Sequence, residues 1–263
     1  MPTVKPRRLL TEERRRAVLD LLEKHGRVTV EELTHEFGVS AVTARGDLDV
    51  LSTTGALVRS HGGAVRPLNP VQDYPLKVKK SIYQAEKIRI ALAATQLIQN
   101  HQTVILDSGT TCGEVAANLR RTKPVALTVV THALNIAMEL ADVPNIALIM
   151  IGGILRQVSS SFVGPQAERM VRDLHADHFF LAVDGLDLEV GLTTPDILEA
   201  QLNALMMRAA REVTVVADAS KFGRRSLSVI GELSMVKRVI TDDRVAPEYV
   251  EGLRRLGVEV VLA

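Results

Sequence analysis

From about Lys79 onward the chain repeats one pattern, a short apolar run followed by a stretch with helical spacing. The runs are VILD at 104–107, ALTVVT at 126–131, IALIMI at 146–151, FFLAVD at 179–184, VTVVAD at 213–218, RVITDD at 238–243 and VEVVL at 258–262. Such alternation predicts a parallel or mostly parallel sheet covered by helices. Four runs end in an acid: Asp107, Asp184, Asp218 and Asp242. Open α/β sheets bind ligands just beyond the carboxyl ends of their strands, so these acids mark a candidate site. Asp242 reads better as a local cap. The other three precede Ser-Gly-Thr-Thr, Gly-Leu-Asp and Ala-Ser-Lys, which suits a ligand. In VILDSGTTCGEV, Ser108, Gly109, Thr110 and Thr111 offer backbone N–H groups and hydroxyls ahead of a helix start, whose positive end favours a phosphate.

Residues 1 to about 66 have a different texture. A helix is expected from Thr11, as its cap, to about Lys24, stopped by Gly26. Val28 to Val30 are a short extended step, and a second helix runs from Val30 to Phe37. Ser40 is a natural cap for a third helix, closed by Gly55, and Gly62-Gly63 marks a hairpin between Ala56 and Arg66. This order is that of a winged helix-turn-helix. On the third helix Ala44, Leu48 and Leu51 recur at inward spacing, leaving Ser40, Ala41, Thr43, Arg45 and Gly46 near the exposed N-terminal end that would meet base edges. Arg59 and His61 in the wing are candidates for phosphate or minor-groove contacts, or for holding the turn. Net charge is only +1, so the basic opening (Lys5, Arg7, Arg8, Arg14, Arg15, Arg16) is the sole charge signal for a polyanion. Pro67, Pro70 and Pro75 mark a linker over 67–78, giving domains at 1–66 and 79–263.

Aromatic residues make up 3% and Trp is absent, so the core must be Val, Ile, Leu, Ala and Met. The single cysteine, Cys112, excludes an intrachain disulfide and fits a reducing cytosol. No apolar run approaches the roughly 18 residues of a membrane span, and no apolar segment backs the N-terminal charges as a signal peptide would require. A cytoplasmic protein without a membrane partner is expected. His175 and His178 lack a third ligand nearby in sequence, so no metal is expected, and no cofactor motif stands out.

Val39-Ser40, Thr43-Ala44-Arg45-Gly46-Asp47-Leu48, Gly55, Arg59 and His61 to Ala64 resemble the winged helix of the DeoR family of bacterial sugar-metabolism regulators. The second half agrees through Asp107 to Thr111, Gly152-Gly153, Gly164, Asp184-Gly185, Gly191 to Thr194 and Asp218 to Lys221. Within the family, GGILRQVSSSFVGPQAE and EGLRRLGVEVVLA are most similar to the branch that represses N-acetylgalactosamine utilisation. Two family positions differ: Ala44 replaces Ile, and Gly46 replaces a second Arg, at a helix cost of about 1 kcal/mol relative to Ala.

The resemblance implies a winged helix that binds double-stranded operator DNA and an α/β domain resembling ribose-5-phosphate isomerase A. It also implies a phosphorylated-sugar effector and a homo-oligomer, dimer or tetramer. The phosphate loop falls on Asp107 to Thr111, the paired acids on Asp184 and Asp187 around Gly185, and the isomerase base position on Glu199. Gly153, Arg156 and Lys221 are further effector candidates, with Lys221 alternatively a surface partner of Asp218. No Lys or Arg lies between Asp187 and Arg208, which removes the local cation that isomerisation would need. A sensor is therefore expected, with a DNA-tethered sugar-phosphate isomerase as the alternative.

Overall fold

The computed structural model describes residues 9–53, 56–66, 73, 75–122 and 126–263. Lys5, Arg7 and Arg8 of the basic opening, Gly55 and most of the linker lie outside the described residues. The chain forms two compact units, residues 1–69 with 80–84 and residues 70–79 with 85–263.

In the first unit α1 (Thr11–His25) leads to β1 (Arg27–Thr29), α2 (Val30–Phe37), α3 (Ala41–Thr53), β2 (Val58–Ser60) and β3 (Gly63–Val65). The expected cap of α1 is corrected: Thr11 is already helical, Leu10 is the cap residue, and Glu13 accepts from its N–H at 3.0 Å. Gly26 ends α1 in the left-handed region at φ 75°, as expected. Thr29 and Glu32 cap α2 reciprocally, Glu32 N donating to Thr29 Oγ1 at 3.1 Å and Thr29 N to Glu32 Oε2 at 2.7 Å. The short extended step joins the wing, giving a sheet ordered β1-β3-β2. A side chain at Gly63 would collide with the Val28 carbonyl across this pairing, which explains the glycine. Ala44, Leu48 and Leu51 face inward as predicted and pack with Val18, Leu22, Val28 and Leu33. Beside them Asp47 is buried and bound by Arg14 Nε at 2.5 Å and Arg15 Nε at 3.1 Å. These two arginines of the basic opening thus brace α1 against α3.

In the second unit α4 (Leu76–Ser81, which runs into the first unit) and α5 (Gln84–Thr95) precede β4 (Thr103–Leu106), α6 (Thr110–Thr122), β5 (Leu127–Thr131), α7 (Leu134–Leu140) and β6 (Ile146–Met150). The hairpin β7 (Ile154–Arg156) and β8 (Ser161–Val163) follows, then α8 (Pro165–Val171) and β9 (Ala176–Leu181). The chain continues through β10 (Gly185–Asp187), β11 (Gly191–Thr194), α9 (Ile197–Ala209), β12 (Ala210–Val216), β13 (Ser228–Gly231), β14 (Arg238–Thr241), α10 (Pro247–Arg255) and β15 (Glu259–Leu262).

The seven predicted strands form one sheet, ordered β15-β14-β12-β9-β4-β5-β6, and every pairing is parallel. Alternate residues feed two cores. Ile105, Phe179, Val215 and Val239 pack on one face, and Val104, Leu106, Phe180, Val216 and Ile240 on the other. A sheet covered on both faces needs apolar residues in succession, which is why these strands read as continuous runs. The strand order reverses between β4 and β9, so a topological switch point lies there. Beside the main sheet stands an antiparallel one, β10-β11-β13. Among the described residues no helix is long and apolar enough to cross a membrane.

Candidate functional site

Asp107 follows β4 and straps the switch point. Its Oδ2 accepts from Ala182 N, just past β9, at 3.0 Å, and its Oδ1 accepts from Ser108 N at 2.7 Å. His132, just past β5, places Nε2 2.9 Å from the same Oδ1, while its Nδ1 lies 2.9 Å from the Phe162 carbonyl. Both side chains are fully buried. Burial pushes the Asp107 carboxyl above its usual range, with the His132 bond opposing. Burial also disfavours charge on His132, but the bond to Asp107 and its attraction outweigh that and raise the imidazole pKa. The two groups titrate as a coupled pair rather than independently.

Ser108 continues the network. Its Oγ donates to Glu199 Oε1 on α9 at 3.4 Å; Ser161 Oγ donates to the same oxygen at 3.0 Å and Thr194 Oγ1 to Oε2 at 3.4 Å. Arg156 at the end of β7 stands 3.5 Å from Glu199, 3.0 Å from Asp196, and in contact with Asp73. Asp73 lies 3.3 Å from Lys79 Nζ, which is 2.9 Å from Asp184; Lys221 Nζ also reaches Asp184, at 3.3 Å. Burial would raise the Asp184 pKa, but Lys221 and Lys79 overcome it and hold the carboxyl down at about 2. An unbroken chain of polar contacts therefore runs from His132 to Lys221, and it includes the predicted Asp107, Ser108, Glu199, Arg156, Asp184 and Lys221.

Gly109 turns the chain into α6 at φ 104°, a conformation that favours glycine, and places Thr110 and Thr111 at the helix start. The first N–H groups of an α-helix have no partner within it, so this turn presents donors to an anion. Gly153 and Gly185 serve close backbone approaches instead, to Val163 O and to Arg224 O. Asp187 is not drawn into the network. It accepts from Glu189 N and Val190 N, both at 2.9 Å, and pairs with Arg225 at 2.8 Å, stabilising the β10–β11 turn. Lys221 pairs with Asp184 rather than Asp218, which bonds Ser220. Asp242 is structural as expected, but it holds Ala219 N and Arg244 rather than capping a helix. No cation comes from the stretch between Asp187 and Arg208; the network's cations are the expected Arg156 and Lys221, joined by Lys79 from a segment distant in sequence.

His132, Ser161, Asp196, Asp73 and Lys79 belong to this network but carry no mark in the sequence motifs above, and Thr194 enters there only within the Gly191–Thr194 segment. The signal for His132 was present: it follows the apolar run LTVVT as Asp107 follows VIL. Cys112, in α6, is buried with Sγ 3.4 Å from the Phe180 carbonyl, and burial pushes its thiol well above the ordinary range.

In the winged helix, Ser40 Oγ accepts from Thr43 N at 3.1 Å and caps α3. Arg45 and Gly46 are exposed and Ala41 and Thr43 half-buried, at the predicted end of the helix. Val42, not predicted, is an apolar side chain 76% exposed beside them. His61 is exposed at the hairpin tip. Arg59 is engaged within the wing, 3.0 Å from Asp49 and donating to Gly63 O at 2.9 Å.

Comparison with known proteins bears on both units. Residues 14–68 match the DeoR-like helix-turn-helix domain, and residues 82–243 match the DeoR C terminal sensor domain. The chain belongs to the DeoR family. It is accordingly a DNA-binding transcriptional regulator. It is 40% identical over 255 residues to the putative aga operon transcriptional repressor of Escherichia coli O157:H7, covering 96% of this chain and 94% of that one. The glycerol-3-phosphate regulon repressor of Escherichia coli K12 is 33% identical over 230 residues, 88% of this chain and 90% of the relative. Among solved structures, ribose 5-phosphate isomerase A from Methanocaldococcus jannaschii is similar over 54% of this chain and 56% of its own, at 15% identity and a TM-score of 0.41.

Proposed function

We propose that this DeoR-family regulator represses carbohydrate-utilisation genes and leaves its operator when a phosphorylated sugar enters the polar network at the switch point. The continuous run of contacts from His132 through Glu199 and Arg156 to Lys221, beside the DSGTT turn, carries this reading. It supplies three cations and several hydroxyls in one network next to a helix start, the chemistry that holds a phosphate and sugar hydroxyls together. Relatives named for the aga operon and the glycerol-3-phosphate regulon point the same way.

Binding without turnover fits the geometry. Isomerisation needs a free base and a cation reserved for the developing oxyanion. Glu199 is already bonded by Ser108, Ser161, Thr194 and Arg156, and Arg156 is shared by three carboxylates. In the winged helix, Ser40, Ala41, Thr43, Arg45 and Gly46 face the major groove, with His61 and Arg59 toward the flanking backbone. We assign DNA binding to residues 1–66, and effector binding and assembly to 79–263, with Asp73 of the preceding segment joining the effector network. A palindromic or repeated operator calls for a dimer or tetramer, because protein symmetry mirrors that of the site. Action on operator DNA places the protein in the cytoplasm.

The test is operator affinity of parent and Thr110→Leu with a panel of sugar phosphates. Thr110 is half-buried at the start of α6, and a bulky apolar side chain there crowds the DSGTT turn against the effector. The variant should bind operator like the parent yet ignore the effector. Release at the parent's effector concentration would remove the DSGTT turn from the site. Turnover of ribose 5-phosphate by the parent would replace the repressor reading with an isomerase.

A further inference from the structure

Asp73 differs from the other acids of the network. Asp184, Asp196 and Glu199 follow or belong to strands and helices of the sheet domain, whereas Asp73 comes from segment 70–79, ahead of the sheet in sequence. Its two oxygens reach two cations, Oδ2 touching Arg156 and Oδ1 lying 3.3 Å from Lys79 Nζ. Neither cation depends on it. Lys79 is already 2.9 Å from Asp184, and Arg156 is already 3.0 Å from Asp196 and 3.5 Å from Glu199. The side chains of Asp73, Lys79 and Arg156 are 16–18% exposed, while Glu199 beneath them is 7% exposed. A partly exposed carboxylate bridging a guanidinium and an ammonium makes the contacts that a phosphate oxygen pair would make.

We propose that Asp73 is a built-in stand-in for the anionic group of the effector, and that a phosphoryl group displaces it from Arg156 and Lys79. This deepens the functional reading above and rests on it. With Asp73 in place, four carboxylates (Asp73, Asp184, Asp196, Glu199) surround three cations (Lys79, Arg156, Lys221), so the cluster carries excess negative charge and repels an incoming phosphate. Departure of Asp73 leaves the two signs equal. Entry of the phosphate and exit of Asp73 are therefore coupled. Residues 1–69 and 80–84, on either side of segment 70–79 in the chain, belong to the winged-helix unit.

The experiment titrates full-length parent, Asp73→Asn and Lys79→Met with inorganic phosphate by calorimetry, then measures operator release by the sugar-phosphate panel. Asp73→Asn should bind phosphate about tenfold more tightly, the factor recovered when a site blocked about nine-tenths of the time is opened. Lys79→Met should bind it more weakly than the parent. A purely bracing role for Asp73 gives the opposite sign, because loss of the brace loosens Arg156. Unchanged or weaker phosphate binding by Asp73→Asn overturns the proposal, as does the absence of phosphate binding by both parent and Asp73→Asn. If a sugar phosphate releases the parent from operator while Asp73→Asn shows no gain, the stand-in fails and the repressor reading survives. If Asp73→Asn gains phosphate affinity but no sugar phosphate releases operator, the anion subsite stands and the repressor reading falls.

Discussion

In the winged helix the buried charge, Asp47 with Arg14 and Arg15, sits behind the recognition helix, while Val42, Arg45 and Gly46 at its front are exposed. The sensor domain reverses this arrangement. There the candidate contact residues Asp107, Ser108 and Glu199 are themselves buried and hold one another in place. On the proposed reading, recognition and stability are carried by separate side chains in one unit and by the same side chains in the other. A change at the exposed front of α3 should then affect folding little, whereas a change in the buried polar network should disturb both.

Asp107→Ala tests the sensor side of that contrast most severely. It removes the acceptor of Ser108 N and Ala182 N and the partner of a buried imidazole, and should cost about 3–5 kcal/mol of stability. Urea unfolding of parent and variant measures it. A loss of only about 1 kcal/mol would mean that Asp107 acts as little more than a helix cap, and the contrast would break. Asp47→Ala should cost about 2–4 kcal/mol, less than a sealed pair because Arg15 keeps 22% exposure. The same variant should still bind the sensor's ligand, so retained ligand response with weakened operator binding would sharpen the division between units.

Arg45→Ala should reduce specific operator affinity by about 1–3 kcal/mol in an anisotropy titration while leaving the unfolding curve unchanged. A shifted unfolding midpoint would show that the front of α3 also carries stability. The smallest effect is expected of Gly46→Arg. A Cβ at Gly46 meets nothing within 4 Å, and leaving glycine recovers about 1 kcal/mol of helix propensity. General DNA affinity should rise and its salt slope should steepen by about one ion; an unchanged slope would turn Gly46 away from the phosphates.

The same contrast explains what the sequence made legible. The seven strands were readable because a sheet covered on both faces demands unbroken apolar runs. The faces of α3 were readable because helical periodicity separates Leu48 from Arg45. The small sheet was not, since GLD and GLTT contain no run to detect. Pairing Asp187 with Asp184 failed for a geometric reason: residues three apart on an extended chain point to opposite faces, and the β10–β11 turn claims Asp187. His132 ends its apolar run as the acids end theirs, but as a histidine it does not share their carboxylate signature. Asp73 and Lys79 reach Arg156 and Asp184 only through the folded chain, and no local pattern announces such contacts.

Cys112 has a practical consequence. It is the chain's one cysteine, it is sealed in the core, and burial holds its thiol protonated. Maleimide dyes react with accessible thiolates, so the natural sequence already serves as a silent background for optical labelling. A cysteine placed at exposed Lys77, in the first turn of α4 and close in sequence to Asp73, would be the sole site to take up a fluorophore. Its emission would report in real time whether that segment shifts when phosphate is added, with no native thiol to remove beforehand.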